Sequence, residues 1–246
     1  MRKVVEKPFQ DNAGELPVAE LRKKFDELAK LRGGEDNPQR FVVDSTAQYL
    51  KKGDKVLDVG AGGGKYAIAI NKLGMEVTAF DFSRGAHDIM REEKGRRGVK
   101  FEQMMADATR LPYREGSFDG AIFFGTSAFI RRDDVGRCLG EIERVLKPGG
   151  ILIAGFPSTS SQIYTISKSP FNSSKTLKVI GFKEAGLSED IPLNFFDRED
   201  FESYMSILKK SFSLKEFYHG SIMIPMGAGE AVTHWNWCLI AEKKQN

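Results

Sequence analysis

Three features of the sequence predict a doubly wound α/β fold built on a mostly parallel sheet. Short apolar segments suited to strands buried on both faces alternate with longer segments whose apolar residues recur at helical spacing. The first such strand, 56–59, breaks into Gly60-Ala61-Gly62-Gly63-Gly64 and then runs into a helix. Acidic residues punctuate the alternation, with Asp58 inside the first strand, Asp81 closing the second and Asp107 following the third. Strands and helices at this spacing imply right-handed crossovers and helices on both faces of the sheet.

Composition sets the bounds. The chain has 246 residues, of which 41% are hydrophobic and 29% charged. That is enough for one large core, and we expect a single domain over 1–246. A net charge of +3, from 37 basic and 34 acidic residues, is too small to argue for nucleic acid or membrane. Cys138 and Cys238 form no CxxC pair and no Cys/His cluster, so neither zinc nor a disulfide framework is expected. The first ten residues are charged and no apolar run approaches the roughly 18 residues of a membrane span, so the expectation is a soluble, cytoplasmic chain.

In chain order, residues 16–31 place Leu21, Phe25, Leu28 and Leu31 on one helical stripe that ends at Gly33-Gly34. Asn37-Pro38 opens a second helix through Phe41, Val42, Ser45 and Tyr49, and 1–53 form a helical cap ahead of the first strand. The glycine loop follows, then a helix to about Gly74. A second strand over 75–80 ends in Asp81, and Ser83 caps a helix to about Lys94. A third strand covers 99–104 and a fourth 120–124. Asp133 or Asp134 begins a helix with Val135, Leu139, Ile142 and Leu146 on one stripe, which Lys147-Pro148-Gly149-Gly150 terminates. The fifth strand is 151–156. Residues 157–192 are serine-rich, carry Lys168, Lys175, Lys178 and Lys183, and are too long for an ordinary connection; they read as a lid or substrate-facing insertion. A helix over 197–208 and two strands, 213–225 and 232–243, joined as a hairpin, complete a count of seven strands.

Three interpretations of the glycine loop compete. A P-loop needs Ser or Thr after Gly-Lys, and Tyr66 follows Gly64-Lys65. The dinucleotide fingerprint is met only loosely, as G-x-G-x-x-A over 62–67 with Asp81 about 20 residues on. The third explains more residues. Asp58-Val59-Gly60-Ala61-Gly62-Gly63-Gly64, Asp81, Asp107-Ala108 and the stretch Glu141 to Gly150 form an ordered set that resembles the class I S-adenosylmethionine-dependent methyltransferases over about 55–156.

The resemblance implies a seven-stranded sheet with an antiparallel last strand. It also implies S-adenosylmethionine as cofactor, S-adenosylhomocysteine as product, and a role for each matching residue. Gly60, Ala61 and Gly62 would pass beneath the methionine part, with Asp58 ordering the loop and approaching the ammonium. Asp81 would accept both ribose hydroxyls, Phe82 would flank the adenine, and Asp107 and Ala108 would meet its amino group and a ring nitrogen. Phe124 and Gly125 would lie near the sulfonium. No metal is implied.

Catalysis is less legible, because in-line methyl transfer depends chiefly on proximity and alignment and needs a base only when the acceptor must lose a proton. The tetrad that follows the fourth strand in family members acting on amino nitrogens is replaced by Phe124-Gly125-Thr126-Ser127, which disfavours such chemistry on nucleic-acid bases. His87, His219, His234, Tyr49 and Tyr164 are candidate bases, though residues in such settings are usually structural, and no catalytic residue is assigned. Trp235 and Trp237 share one strand face, opposite His234 and Asn236, and read as packed under a covering helix. An enclosed pocket beneath the cap and insertion suits a small-molecule acceptor. Arg96-Arg97, Arg131-Arg132 and Lys209-Lys210 keep an RNA or protein acceptor as the alternative. From other classes, an NAD-dependent oxidoreductase or a catalytically silent cofactor-binding protein would use the same loop. Oligomeric state has no signature.

Overall fold

A computed structural model describes residues 38–166, 192–227 and 230–245, together with 20, 22–24, 26–27, 169–173 and 175–178. The elements are α1 (Arg40–Tyr49), β1 (Lys55–Val59), α2 (Lys65–Lys72), β2 (Glu76–Asp81), α3 (Arg84–Arg97), β3 (Glu102–Met105), β4 (Phe118–Phe124), α4 (Val135–Val145), β5 (Leu146–Pro157), α5 (Gln162–Ile166), β6 (Ser169–Ser173), β7 (Thr176–Lys178), β8 (Pro192–Asn194), α6 (Arg198–Leu208), β9 (Phe212–Gly227) and β10 (Glu230–Lys243). The described residues at 20–27 are helical as well.

Seven strands form one sheet in the order β3-β2-β1-β4-β5-β10-β9. The first five are parallel, and β10 lies antiparallel between β5 and β9. The expected architecture is therefore present, antiparallel last strand included. Strand order reverses between β1 and β4, and at such a switch point the crossovers diverge to opposite faces and leave a crevice beyond the strands' carboxyl ends.

Each face of the sheet carries its own core. On one, Val56, Val77, Ile122, Ile153 and Ile240 pack with Val42 of α1, Tyr66 and Ile70 of α2 and Met90 of α3. On the other, Leu57, Phe123, Leu152 and Leu239 pack with Leu139 and Ile142 of α4 and Phe201, Met205 and Leu208 of α6. Adjacent strand residues thus go to opposite cores, which is why 56–59 is an unbroken apolar run apart from Asp58. The helix ends are set by local chemistry: Ser83 Oγ accepts from Ala86 N–H to start α3, Gly98 ends it in the left-handed region, and Asp197 with Asp200 forms a reciprocal capping box on α6.

Some expectations need correction. Helix α4 stops at Val145, and Leu146 already pairs with Phe118 as the first residue of β5. Lys147-Pro148-Gly149-Gly150 therefore lies inside a strand, absorbed by a register shift between Phe118 and Gly120 with Gly149 at φ +78°. The third strand starts later than expected, because Val99 N–H still bonds to Lys94 O in the turn that ends α3. The insertion is more ordered than its composition implied: it holds α5, β6 and β7, and β7 pairs antiparallel with β8, which starts at the insertion's last residue. Residues 179–191, Lys168, the hairpin tip at Ala228-Gly229 and most of 16–31 lie outside the described residues.

Candidate functional site

The carboxyl ends of β1, β2 and β4 meet at the glycine loop. Gly60, Gly62 and Gly64 all have positive φ, at +71°, +54° and +86°, a region costly for a residue with a Cβ. Backbone bonds fix the loop: Ala61 N–H donates to Phe80 O and Gly64 N–H to Ala61 O, both at 2.9 Å. Two of the glycines differ in their surroundings. A Cβ on Gly60 would stand 2.5 Å from the side chain of Thr126, whose hydroxyl donates to Val59 O at 2.6 Å. A Cβ on Gly62 would meet nothing within 4 Å, and Gly125, at the end of β4, is equally open. The loop is thus packed on its Gly60 side and open on its Gly62 side, so a ligand's backbone approach belongs at Gly62.

A pair of substitutions separates these roles. Gly60→Ala should lower stability by about 2–4 kcal/mol, combining left-handed strain with displacement of Thr126 and its hydrogen bond. Gly62→Ala should cost only about 1 kcal/mol in stability but block the approach over the loop. Thermal unfolding and calorimetric titration of both variants check this; equal unfolding losses would refute the distinction.

Two carboxylates stand behind the loop. Asp58 is buried, and its Oδ2 accepts from Ala67 N–H at 3.0 Å in the first turn of α2. Burial raises its pKa to about 7, reinforced by the charge of Asp81 and opposed by Ala67 N–H and Lys65. Asp81 accepts from Gly62 N–H through Oδ2 and from Ser83 N–H through Oδ1, each at 2.9 Å. Burial raises its pKa too, against those two amide bonds and His87. Both oxygens of Asp81 take backbone donors, and the Phe82 N–H adds a third; a carboxylate with about four acceptor sites still has capacity for a ligand hydroxyl.

The residues expected near the adenine and the sulfonium also make contacts within the chain. Asp107 uses Oδ1 for both the N–H and the hydroxyl of Thr109, at 2.8 and 2.7 Å, an Asx turn on an exposed loop. Ala108 beside it is partly buried. Phe82 has the guanidinium of Arg22 5.9 Å from its ring centroid. The Phe124 side chain turns into the core, with Tyr66 6.0 Å and Phe41 5.9 Å away between centroids, so only its backbone and Gly125 border the open loop.

Two participants were not legible in the sequence. Asp26, from the N-terminal helix, accepts from Ser83 Oγ at 2.6 Å and Gly85 N–H at 2.9 Å, clamping that helix over the start of α3. Nothing in its amphipathic pattern marked it. Thr126 braces β1 through Val59 O, and only its place just after β4 hinted at a role.

The candidate bases disperse. The His87 ring is held between Asp81 O at Nε2, 3.1 Å, and Gln103 Nε2 at Nδ1, 3.3 Å; donation to Asp81 O makes it a positioning residue for β2. His219 stacks on Trp237 at 4.1 Å and packs 4.8 Å from Trp235, on the sheet face away from Phe124, and burial lowers its pKa. Tyr49 donates to Glu216 Oε1 at 2.5 Å, and Tyr164 packs on Phe195 at 5.3 Å. Trp237 lies under α6, 5.6 Å from Phe201, as expected. Both cysteines are buried, and burial pushes the thiol pKa of Cys238 up to about 12 and that of Cys138 higher still. The basic pairs are largely consumed internally: Arg96 and Arg97 by Glu93, Arg131 by Asp134, Arg132 by Asp200 and Lys175 by Asp197.

Residues 57–154 match the family model of a methyltransferase domain. Over that stretch the chain is similar to methyltransferase domains. It is 33% identical over 140 residues to a demethylmenaquinone methyltransferase of Thermus thermophilus, covering 55% of this chain and 61% of that protein. The chain thus spans about three fifths of that curated relative's length. Among solved structures, a methyltransferase from Methanosarcina mazei superposes with TM-score 0.69 at 19% identity, covering 81% of this chain and 96% of that one. The Burkholderia thailandensis 1,6-didemethyltoxoflavin N1-methyltransferase, with its substrate and S-adenosylhomocysteine bound, superposes with TM-score 0.61 at 16% identity over 96% and 94% of the two chains. These two likenesses concern the methyltransferase fold. Among the described residues no helix is long and apolar enough to cross a membrane, and no group of three or more His, Cys, Asp or Glu side chains is placed to hold a metal.

Proposed function

We propose that this methyltransferase domain transfers a methyl group from S-adenosylmethionine to a small-molecule acceptor. One observation carries the reading: a glycine loop packed at Gly60 and Gly64 and open at Gly62, with two recessed carboxylates, Asp58 and Asp81, behind it. A sulfonium cofactor with an ammonium group and a ribose diol suits that donor set. Asp81 would accept the ribose hydroxyls, Asp58 would face the ammonium, and Oδ2 of Asp107 with the Ala108 N–H would read the adenine edge, with Phe82 beside it. The N-terminal helix, clamped by Asp26, would close the adenosine side.

S-adenosylmethionine supplies an activated methyl group. An acceptor lone pair attacks the methyl carbon, the carbon–sulfur bond breaks, and its electron pair stays on sulfur to give S-adenosylhomocysteine; a proton carried by the acceptor atom is lost to solvent. The chain's part is alignment and exclusion of water, consistent with candidate bases scattered over both sheet faces. A small acceptor is favoured over RNA by the internal pairing of the arginines, which leaves little of the open basic surface that phosphate binding needs. The matched relatives named as demethylmenaquinone methyltransferases, and the toxoflavin-precursor enzyme, act on small molecules by their names.

Calorimetric titration with S-adenosylmethionine and with NAD is the first test: saturable binding of the former and none of the latter is expected, and the reverse would overturn the reading. Incubation of the labelled cofactor with separated metabolite and RNA fractions then tests the acceptor class. Label in the metabolite fraction is expected; label in RNA alone would replace the small-molecule acceptor.

A further inference from the structure

Beyond the cofactor loop, the segment that follows β4 is held from three sides. It leaves the sheet at Gly125 and turns through 126–130, with Ala128 N–H donating to Gly125 O at 3.3 Å and the N–H groups of Phe129 and Ile130 donating to Thr126 O at 3.0 and 3.3 Å. Thr126 ties it to β1: its hydroxyl bonds to Val59 O, and its side chain fills the space that a Cβ on Gly60 would need. Ser127, fully buried, ties it to β5 through its hydroxyl and Gly155 O at 3.2 Å. The third tie comes from outside the seven-stranded sheet.

Asn194 ends β8, which pairs with β7 in the smaller sheet. It is 2% exposed, and its amide nitrogen donates to Ser127 O at 3.1 Å and to Ile130 O at 2.6 Å. Both partners are carbonyls, which only accept, so the nitrogen of the amide must face them and spends its two N–H bonds on the turn. Without it, two carbonyls of a tight turn lose a donor. Beside it, Arg132 donates to Phe195 O at 2.9 Å and pairs with Asp200 at 2.6 Å, which fastens the same strand end to the segment after the turn.

We propose that Asn194 is a positioning residue for the methionine end of the cofactor, acting through the 126–130 turn: it holds the turn against β1 and so keeps Thr126 pressed on Gly60. This rests on the methyltransferase reading above and adds a division of labour within that site. Asp81 ends β2 and Asp107 follows β3, both on the far side of β1 from the turn, so the adenosine end is set without Asn194. The glycine loop at Gly60 and the opening at Gly125 border the turn directly, so the amino-acid end depends on it. The smaller sheet is thereby a support for placing the methyl group as well as a cover.

The test uses the full chain and compares S-adenosylhomocysteine, read by calorimetry, with adenosine, which lacks the amino-acid part and is read by ligand-observed magnetic resonance. Asn194→Ala should lower S-adenosylhomocysteine affinity about tenfold, the ratio one net hydrogen bond carries, while adenosine affinity stays within about twofold. Asn194→Ser, which keeps a donor, is read instead if the alanine variant does not fold, and should show a smaller loss in the same direction. Thr126→Val removes the hydroxyl bond to Val59 O and acts through the same route, so the double variant should lose less than the product of the two single losses. A residue that merely stabilised the fold would move both ligands together. Equal losses for the two ligands, an unchanged S-adenosylhomocysteine affinity, or losses that multiply would therefore overturn the proposal. Failure of the wild-type chain to bind S-adenosylhomocysteine at all would instead strike the methyltransferase reading, so the two failures are distinguishable.

Discussion

Asp81→Ala is expected to weaken S-adenosylmethionine binding by about 10²- to 10⁴-fold, the loss of two charge-assisted hydrogen bonds to ribose worth about 1.5–3 kcal/mol each. The alanine variant removes more than a ligand contact, because the same carboxylate accepts from Gly62 and Ser83 N–H. Those two amides then lose their acceptor, and the loop loses its tie to β2. Asp81→Asn separates the effects. Its amide oxygen can keep one backbone bond, but its NH₂ group faces a backbone donor and its charge is gone. Calorimetry on both variants, with circular dichroism to verify folding, reads the outcome: both should be folded, with the asparagine variant intermediate in affinity. Wild-type affinity in the asparagine variant would remove Asp81 from the ribose site and leave it a brace of the loop.

The fold was legible because its signals are local and repeated. Three of the five parallel strands, β1, β2 and β4, are mostly apolar segments of five to seven residues, and the helices between them carry caps or stripes, so the alternation survives errors at single boundaries. Lys147–Gly150 reads as a helix terminator because proline and glycine break periodic patterns, whereas an irregularity in the β4–β5 pairing accommodates both within β5. The small sheet of the insertion was missed for a different reason: β7 and β8 are three residues each, shorter than a periodic pattern can reveal.

The site was legible in part. Glycines and acids at strand ends can be read from order alone, since the strand ends themselves are converged by the topology. The side-chain directions cannot. Phe124 turns into the core because Gly155 across the strand leaves room for its ring, and that depends on register rather than on sequence distance. Asp26 reaches the start of α3, beside the glycine loop, from 32 residues before Asp58, and it carries no local signature. What the sequence could state about it was only its helical stripe.

Asp58→Asn is expected to raise the stability of the ligand-free chain at pH 8 while lowering its affinity for the cofactor. In the unfolded chain the carboxyl group titrates near its ordinary value of about 3.9; in the folded chain it titrates at about 7 because burial disfavours the charge. Between those values the folded state holds a proton that the unfolded state has released, so stability falls as pH rises through this window. The contribution is full below the unfolded value and lost above about 7, on the order of 2–4 kcal/mol. Asparagine can still accept from Ala67 N–H and never ionises, so its melting temperature should exceed that of the wild-type chain at pH 8 and approach it at pH 5. Cofactor binding runs the other way. An ammonium at this position favours the ionised carboxylate, so wild-type affinity should increase from pH 6 to pH 8, whereas the variant should bind more weakly with a flatter profile. Asp81 ionises in the same environment, and a residual slope in Asp58→Asn that disappears in the double variant would be its share. An undiminished slope in Asp58→Asn would place the ammonium away from Asp58. A wild-type chain that loses no stability between pH 5 and pH 8 relative to the variant would show that Asp58 is ionised without penalty. The residue that makes the loop receptive to a cation would thus be the one that makes the empty loop costly to keep, and cofactor binding would supply the counter-charge that the fold itself withholds.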